Sequence, residues 1–248
     1  MGKSYLYYLN NPSVTLIQAL HSVILRDRIM KYNFRRIHWL AGFFLVTFFT
    51  GYLPFARAQH SLNEVMATWP EETMAKCRIV SLENQDPFLA EVLLLCNMAR
   101  VDGPRFARDI LPLYFLEHGG KDTEAAVSLL NELNQLPSLP PFSLRKELMA
   151  TAAYFAEYAG ARGIVAHDRF DQRYDPLLKS CSSVAENLYF GYKKTALNVV
   201  AEFRIIEGVP GCGHRVNLLS GMLIHMGMAY QPNKKYDFIL VMSLGACQ

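Results

Sequence analysis

Glu186 is a carboxylate inside an apolar, strand-prone run, Ala185-Glu186-Asn187-Leu188-Tyr189-Phe190-Gly191, and further on His214 and Arg215 follow the tight Gly211-Cys212-Gly213 turn. Core patterning does not place such groups there, and polar exceptions of this kind mark sites. Strand alternation puts Glu186 on the side of its apolar neighbours Val184 and Leu188. Its carboxylate must then be paired or hydrogen-bonded, because a lone charge in low dielectric is too costly. His167 and His214 are the obvious partners. Imidazoles facing carboxylates can hold a divalent ion, with Zn²⁺ suited to mixed nitrogen and oxygen ligands, or can simply fix a strand to a helix. Gly211 and Gly213 allow close backbone approach at His214. Arg215 there either meets an anion or pairs with a nearby acid, the simpler expectation. Ser182 and Ser183 lie close to Glu186, but the chain has no Gly-x-Ser-x-Gly elbow for a serine hydrolase.

The elements that must position these groups are readable in part. Residues 59–85 lack a clean period and are expected to be a poorly structured lead-in. Asp86-Pro87 is a helix start, with an N-cap and Pro at the first helical position, and Leu89, Val92, Leu93 and Cys96 carry an apolar face to about Val101. A second helix is expected through Phe106, Ile110 and Tyr114, and a third over Thr123–Leu136. After the Pro-rich break, Ser143 is expected to cap a helix running to Tyr158. Residues 160–176 read as irregular. Val184–Phe190 is expected to be a strand and Lys193–Ile206 a helix. Met222–Tyr230 and Tyr236–Leu244 form a hairpin pattern. Helices followed by strands around one helix imply an α+β domain with a small antiparallel sheet.

These segments resemble the CAP superfamily (cysteine-rich secretory proteins, antigen 5 and pathogenesis-related proteins) in its bacterial SCP-like form. The likeness rests on the Glu186-Asn187 strand, the Glu207-Gly208-Val209 turn and the Gly213-His214-Arg215 helix start, with Leu93–Pro104 and Leu148–His167 similar to two family helices. It implies a three-layer α-β-α sandwich and a cleft of two imidazoles and two acids, matched here by His167, Glu186, Glu207 and His214, with Asn187 and Arg215 in support. Of these, His167 and His214 are the expected metal ligands. The chain departs from the family where Asp168-Arg169 follow His167 and Cys212 precedes Gly213. If the two motifs converge, Cys181 and Cys212 are brought close and are the expected disulfide.

Two readings of the cleft stay open: a non-catalytic binding module for a small ligand, lipid or partner segment, or a metal-assisted hydrolase of cell-envelope or peptide material with Glu186 or Glu207 as base. A structural or adhesive role with a vestigial cleft is the third. Charge excludes one class. Residues 1–58 hold seven of 25 Lys+Arg and one of 22 Asp+Glu, leaving 18 basic and 21 acidic side chains, a formal net of −3, over 59–248. No basic face for nucleic acid is implied.

The basic N-terminal stretch, the apolar run Trp39–Phe55 and Ala56-Arg57-Ala58 have the order of an export signal. Cleavage is expected before Gln59, giving a secreted or periplasmic protein, with translation starting at Met1 or Met30. The alternative is retention of Trp39–Phe55 as a membrane anchor. The resulting division is an N-terminal extension and signal over 1–58, a lead-in over 59–85 and one domain over 86–248. N-terminal sequencing of the exported protein is expected to begin at Gln59; a form retaining Trp39–Phe55 would instead make it membrane-fixed.

Overall fold

The computed structural model describes residues 4–5, 61–78, 86–192, 194–205 and 212–248. The export segment and Glu207 lie outside these. No helix among the described residues is long and apolar enough to cross a membrane.

Where a lead-in without structure was expected, two short helices form, α1 (Leu62–Ala67) and α2 (Glu71–Cys77). Ser61 and Glu64 make a reciprocal capping box at the first, which satisfies two orphan N–H groups. Trp69, Met74 and Cys77 are buried and anchor the segment. Each helix is under two turns long, too short for a 3.6-residue period to show.

Helix α3 (Pro87–Val101) starts where the sequence places it, with Asp86 accepting from the N–H groups of Phe88 (2.8 Å) and Leu89 (3.3 Å). A helical turn at Gly103–Arg105 and a π-helical turn at Phe106–Ile110 lead into α4 (Leu111–His118). Thr123 caps α5 (Glu124–Gln135). Ser143 is not a cap. Ser143–Leu144 form β2, with Ser143 N–H donating to Ile224 O at 2.9 Å and Arg145 N–H to Met226 O at 3.0 Å. The extended chain leaving Pro140-Pro141 meets an open sheet edge, and ladder bonds win over capping. Helix α6 therefore spans Lys146–Arg162. The stretch read as irregular holds α7 (Phe170–Tyr174) and a 3₁₀ turn at Asp175–Lys179.

The remaining elements are β3 (Cys181–Gly191), α8 (Ala196–Ile205), α9 (Gly213–Leu218), β4 (His225–Pro232) and β5 (Phe238–Cys247). With β1 (Ser4–Tyr5) the sheet order is β1-β3-β5-β4-β2. The three long strands are antiparallel, whereas the two-residue edge strands pair in parallel, so the sheet is mixed at its rims. The hairpin strands sit two or three residues later than periodicity alone suggests, because β5 takes its register from β3 as well as β4.

Alternation sorts the core into layers. Ala185, Tyr189, Leu240, Met242 and Leu244 face the helical layer that contains α3, α5 and α8. Leu188, Ile239 and Val241 face α6, while Val184 joins Leu148, Phe170, Tyr174 and Leu177 beside it. Helices thus cover both faces of the sheet, an α+β fold in three layers.

Gly227 fixes how closely α6 approaches β4. A Cβ there would lie 2.1 Å from Leu148 C and Met149 N, both backbone atoms that cannot step aside. Gly227→Ala is expected to lower stability by about 2–3 kcal/mol through overpacking, read as a lower urea midpoint at unchanged slope.

Candidate functional site

Glu186 lies on β3 opposite Ser243 of β5, and its side chain is fully buried. Its side faces α7, as Val184 and Leu188 require. Arg173, on α7, grips the carboxylate with both terminal nitrogens: Nη2 donates to Oε1 at 2.9 Å and Nη1 donates to Oε2. His167 Nδ1 sits 2.9 Å from Oε1, and Tyr174 OH donates to Oε2 at 3.1 Å. Four donors saturate the two oxygens. Burial would raise this carboxyl, yet the Arg173 and His167 contacts overcome it and hold Glu186 below its ordinary range. Burial first, then the Glu186 charge, pushes the Tyr174 hydroxyl well up. That hydroxyl also meets Ser243 Oγ at 2.6 Å.

Arg173 was not among the expected site residues. Its guanidinium stacks 3.7 Å from the Phe155 ring centroid, and its Nε donates to Asp168 O at 3.1 Å. It therefore ties the strand, helix α6 and the His167 loop together. The sequence holds one cue: Arg173 lies between the core residues Phe170 and Tyr174, in a stretch too short to display a period.

His167 follows the C-terminus of α6, on the loop before α7. Tyr158 fixes that loop, donating to Asp168 Oδ2 at 3.1 Å while the Arg162 and Arg169 guanidiniums lie 4.2 and 4.8 Å from its ring centroid. With Nδ1 held by Glu186, Nε2 is the imidazole nitrogen left to the surface. An open cleft of about 340 Å³ lies there, lined by His167, Arg169, Phe170, Asp171 and Gln172.

His214 belongs to the opposite side of β3. Asn187 points away from Glu186, donates through Nδ2 to His214 O at 3.1 Å, and accepts from Asn217 Nδ2 at 2.9 Å. The His214 ring packs edge-on to Phe203 at 5.1 Å and makes no side-chain hydrogen bond among the described residues. Glu186 is thus partnered by His167 and Arg173, not by His214; consecutive strand residues cannot serve one face. His214 nevertheless senses the His167 charge. Burial and then that charge hold its pKa down to about 4, from 6.5. A base depressed in the fold is stabilising above its unfolded pKa and loses that contribution as pH falls. His214 is expected to cost about 2 kcal/mol between pH 6.5 and 4, a loss trimmed by the ring's partial exposure; in His214→Phe this part of the acid transition disappears from the melting profile.

Backbone geometry marks both histidines. Among the described residues, Arg169 (φ 53°) and Cys212 (φ 47°) are the non-glycine residues in the left-handed region, each two positions from a histidine. Such strain persists where the surroundings over-determine it.

Arg215 is a buried staple. It donates from Nε to Arg204 O (2.6 Å), from Nη1 to Ser128 Oγ (3.1 Å) and Glu132 Oε2 (3.3 Å), and from Nη2 to Ala125 O (3.1 Å) and Ile205 O (3.3 Å). Its donors are spent inside the protein. Glu202, the neighbouring acid on α8, accepts from Tyr189 OH at 2.9 Å.

The disulfide differs from the expected one. Cys181 bridges Cys247, its partner in the β3–β5 register, and Cys212 is free. The Glu186 and His214 motifs meet across the strand, whereas Cys181 sits at its far end, so sequence proximity to each motif did not bring those thiols together.

A zinc site needs three or four donors. Among the described residues no group of three His, Cys, Asp or Glu side chains could hold a metal ion, and the Glu186 oxygens are already engaged. His167 and His214 alone do not fit that requirement, and Glu207 is outside the described residues.

No family model matches the chain, and no curated protein matches its sequence. Among solved structures, an outer surface protein from Borrelia burgdorferi is 19% identical, matching 57% of this chain and 96% of that one at a TM-score of 0.37. An extracellular protein containing a SCP domain from Bacillus anthracis is 15% identical over 48% of this chain and 37% of that one, at 0.35. A cysteine-rich secretory protein from Staphylococcus aureus is 15% identical over 49% and 37%, at 0.32. The match thus spans little more than a third of the Bacillus and Staphylococcus chains, and at these TM-scores the likeness assigns neither family nor activity.

Proposed function

We propose that the chain is an exported, non-catalytic binding module of the CAP type, whose cleft beside His167 takes a small ligand, a lipid or a partner segment. One observation carries the reading: the Glu186 carboxylate is saturated by Arg173, His167 and Tyr174. A general base needs a free lone pair within reach of its substrate's proton. Glu186 has none and does not line the cleft. Its effect is to fix the His167 ring, with Nε2 turned outward as a contact for a ligand. Arg169 and Asp171 add both signs of charge around the apolar Phe170 ring, which suits a ligand with polar and apolar parts. The motifs that resemble the CAP superfamily support the family part of this proposal.

Native mass spectrometry and elemental analysis of the purified full chain test it together. The expected result is a retained small molecule, lost in His167→Ala, with metal well below one ion per chain. Stoichiometric metal that His167→Ala and His214→Ala each abolish would overturn the binding reading in favour of the metal-assisted hydrolase.

A further inference from the structure

The hydrogen bond behind His167 fixes what the front of its ring presents. An ionised carboxylate has acceptors and no donor. Glu186 Oε1 lies 2.9 Å from His167 Nδ1, so Nδ1 carries the proton, and in the neutral ring Nε2 is left as a lone-pair acceptor. Arg173 already balances the Glu186 charge, so the carboxylate does not need the imidazole as a second cation. The His167 side chain is 28% exposed and lines the cleft with Arg169, Phe170, Asp171 and Gln172. Arg169 can only donate, an ionised Asp171 can only accept, and the Gln172 amide does both. Among the described residues the lining thus carries one charge of each sign and sets acceptors beside donors.

That lining selects among ligands. An anion drawn to Arg169 meets the Nε2 lone pair and the Asp171 charge, and a cation drawn to Asp171 meets Arg169. A wholly apolar chain would cover these polar side chains without bonding them, which is costly. A hydroxyl both donates and accepts, so neighbouring hydroxyls on one carbon frame can donate to Nε2 and Asp171 while accepting from Arg169. Aromatic faces complete the match. Tyr158 adjoins the lining, its hydroxyl 3.1 Å from Asp168 Oδ2 and its ring 4.8 Å from the Arg169 guanidinium. Tyr154, 53% exposed, stacks on Tyr158 at 6.2 Å with ring planes 11° apart, a flat apolar face of the kind that the C–H side of a pyranose covers. The cleft of about 340 Å³ is at the small end of ligand pockets, which run from about 300 to 1,000 Å³. Resting on the reading of this cleft as a binding site, we infer that it takes a neutral hexose unit. One hydroxyl donates to His167 Nε2, a second donates to Asp171, and Arg169 donates to a hydroxyl oxygen. That chemistry is shared by a free glycan and a glycolipid headgroup.

The test is ligand-observed NMR titration of the full chain with the methyl glycosides of glucose, galactose, mannose and N-acetylglucosamine. Glucuronate and glucosamine serve as anionic and cationic counterparts on the same frame. At least one neutral glycoside is expected to bind more tightly than either charged sugar, and Asp171→Ala is expected to weaken it about tenfold with Tm little changed, Asp171 being exposed. Phosphatidylcholine vesicles with and without diglucosyl-diacylglycerol separate the sources: binding that needs the glycolipid assigns the headgroup, and binding to the glycoside alone assigns the free glycan. In ¹⁵N-histidine spectra at neutral pH, His167 is expected to carry its proton on Nδ1 with Nε2 bare. A proton on Nε2 overturns the assignment, as does a charged sugar binding more tightly than every neutral glycoside, or neutral binding that Asp171→Ala leaves untouched. Another retained molecule that is lost in His167→Ala, with no glycoside bound, overturns the hexose alone and leaves the binding module standing.

Discussion

Arg173→Met is expected to destabilise the protein by about 3–5 kcal/mol, the cost of leaving a buried carboxylate without its cation. The figure is large because Glu186 has a fully buried side chain and Arg173 provides two of its four hydrogen bonds. Removing both charges together removes the problem. Arg173→Met with Glu186→Leu is expected to recover most of the loss, since an apolar pair of similar volume needs no compensation. Urea titration of wild type, single and double variants measures this directly, and an Arg173→Met loss of less than about 1 kcal/mol, in the range of an exposed pair, would show that the bridge is a surface-like contact.

The pH profile gives an independent reading. In the wild type Glu186 is held below the ordinary glutamate value of 4.5, so its contribution is present above that value and is lost as pH falls through the depressed pKa. Without Arg173 the burial that raises the carboxyl has less to oppose it. A carboxyl raised in the fold contributes below its unfolded pKa and loses stability as pH rises. The Glu186 part of the acid loss should therefore shrink in Arg173→Met, which then falls in stability less steeply than wild type as the carboxyl protonates, while the His214 part of the transition remains.

The side of β3 that Glu186 occupies was legible because alternation needs only the neighbours Val184 and Leu188. That it requires partners was legible from the cost of burying charge. The identity of the main partner was not. Arg173 comes from a helix of one turn, and its meeting with Glu186 depends on how α7 lies over the sheet, which no local pattern encodes. The same limit explains His214. Resemblance groups it with Glu186, yet Asn187, one residue along and facing the other way, is what holds its backbone. Helix α3 was readable to its first residue because Asp86-Pro87 is a local signal. Helix α6 was misplaced at its start because Ser143 answers to the sheet edge at Ile224, a partner 81 positions away. Export lies in the sequence pattern alone, in Trp39–Phe55 and Ala56-Arg57-Ala58.

Reducing the Cys181–Cys247 bridge, or replacing Cys247 by Ser, is expected to cost about 4 kcal/mol from the loop-closure entropy of the unfolded chain, the two cysteines being 66 positions apart. Part of the local geometry survives. Gln248 N–H still donates to Ser180 O at 2.9 Å, Cys247 N–H to His225 Nδ1 at 3.3 Å, and Arg145 to Gln248 O. Those contacts are near the surface and do not constrain the unfolded ensemble, so they cannot replace the covalent link. The bridge abuts Leu148, Phe170, Tyr174, Leu177 and Val184, the cluster that seats α7 and with it Arg173. Reduction should consequently loosen Arg173 as well as the end of β5, and hydrogen exchange is expected to accelerate at 170–174 before it does in α3. Non-reducing peptide mapping settles the connectivity on which this rests: a Cys181–Cys247 peptide with alkylated Cys212 is the expected product. A Cys181–Cys212 peptide would place α9 at the wrong end of β3 and take the Arg173 account down with it.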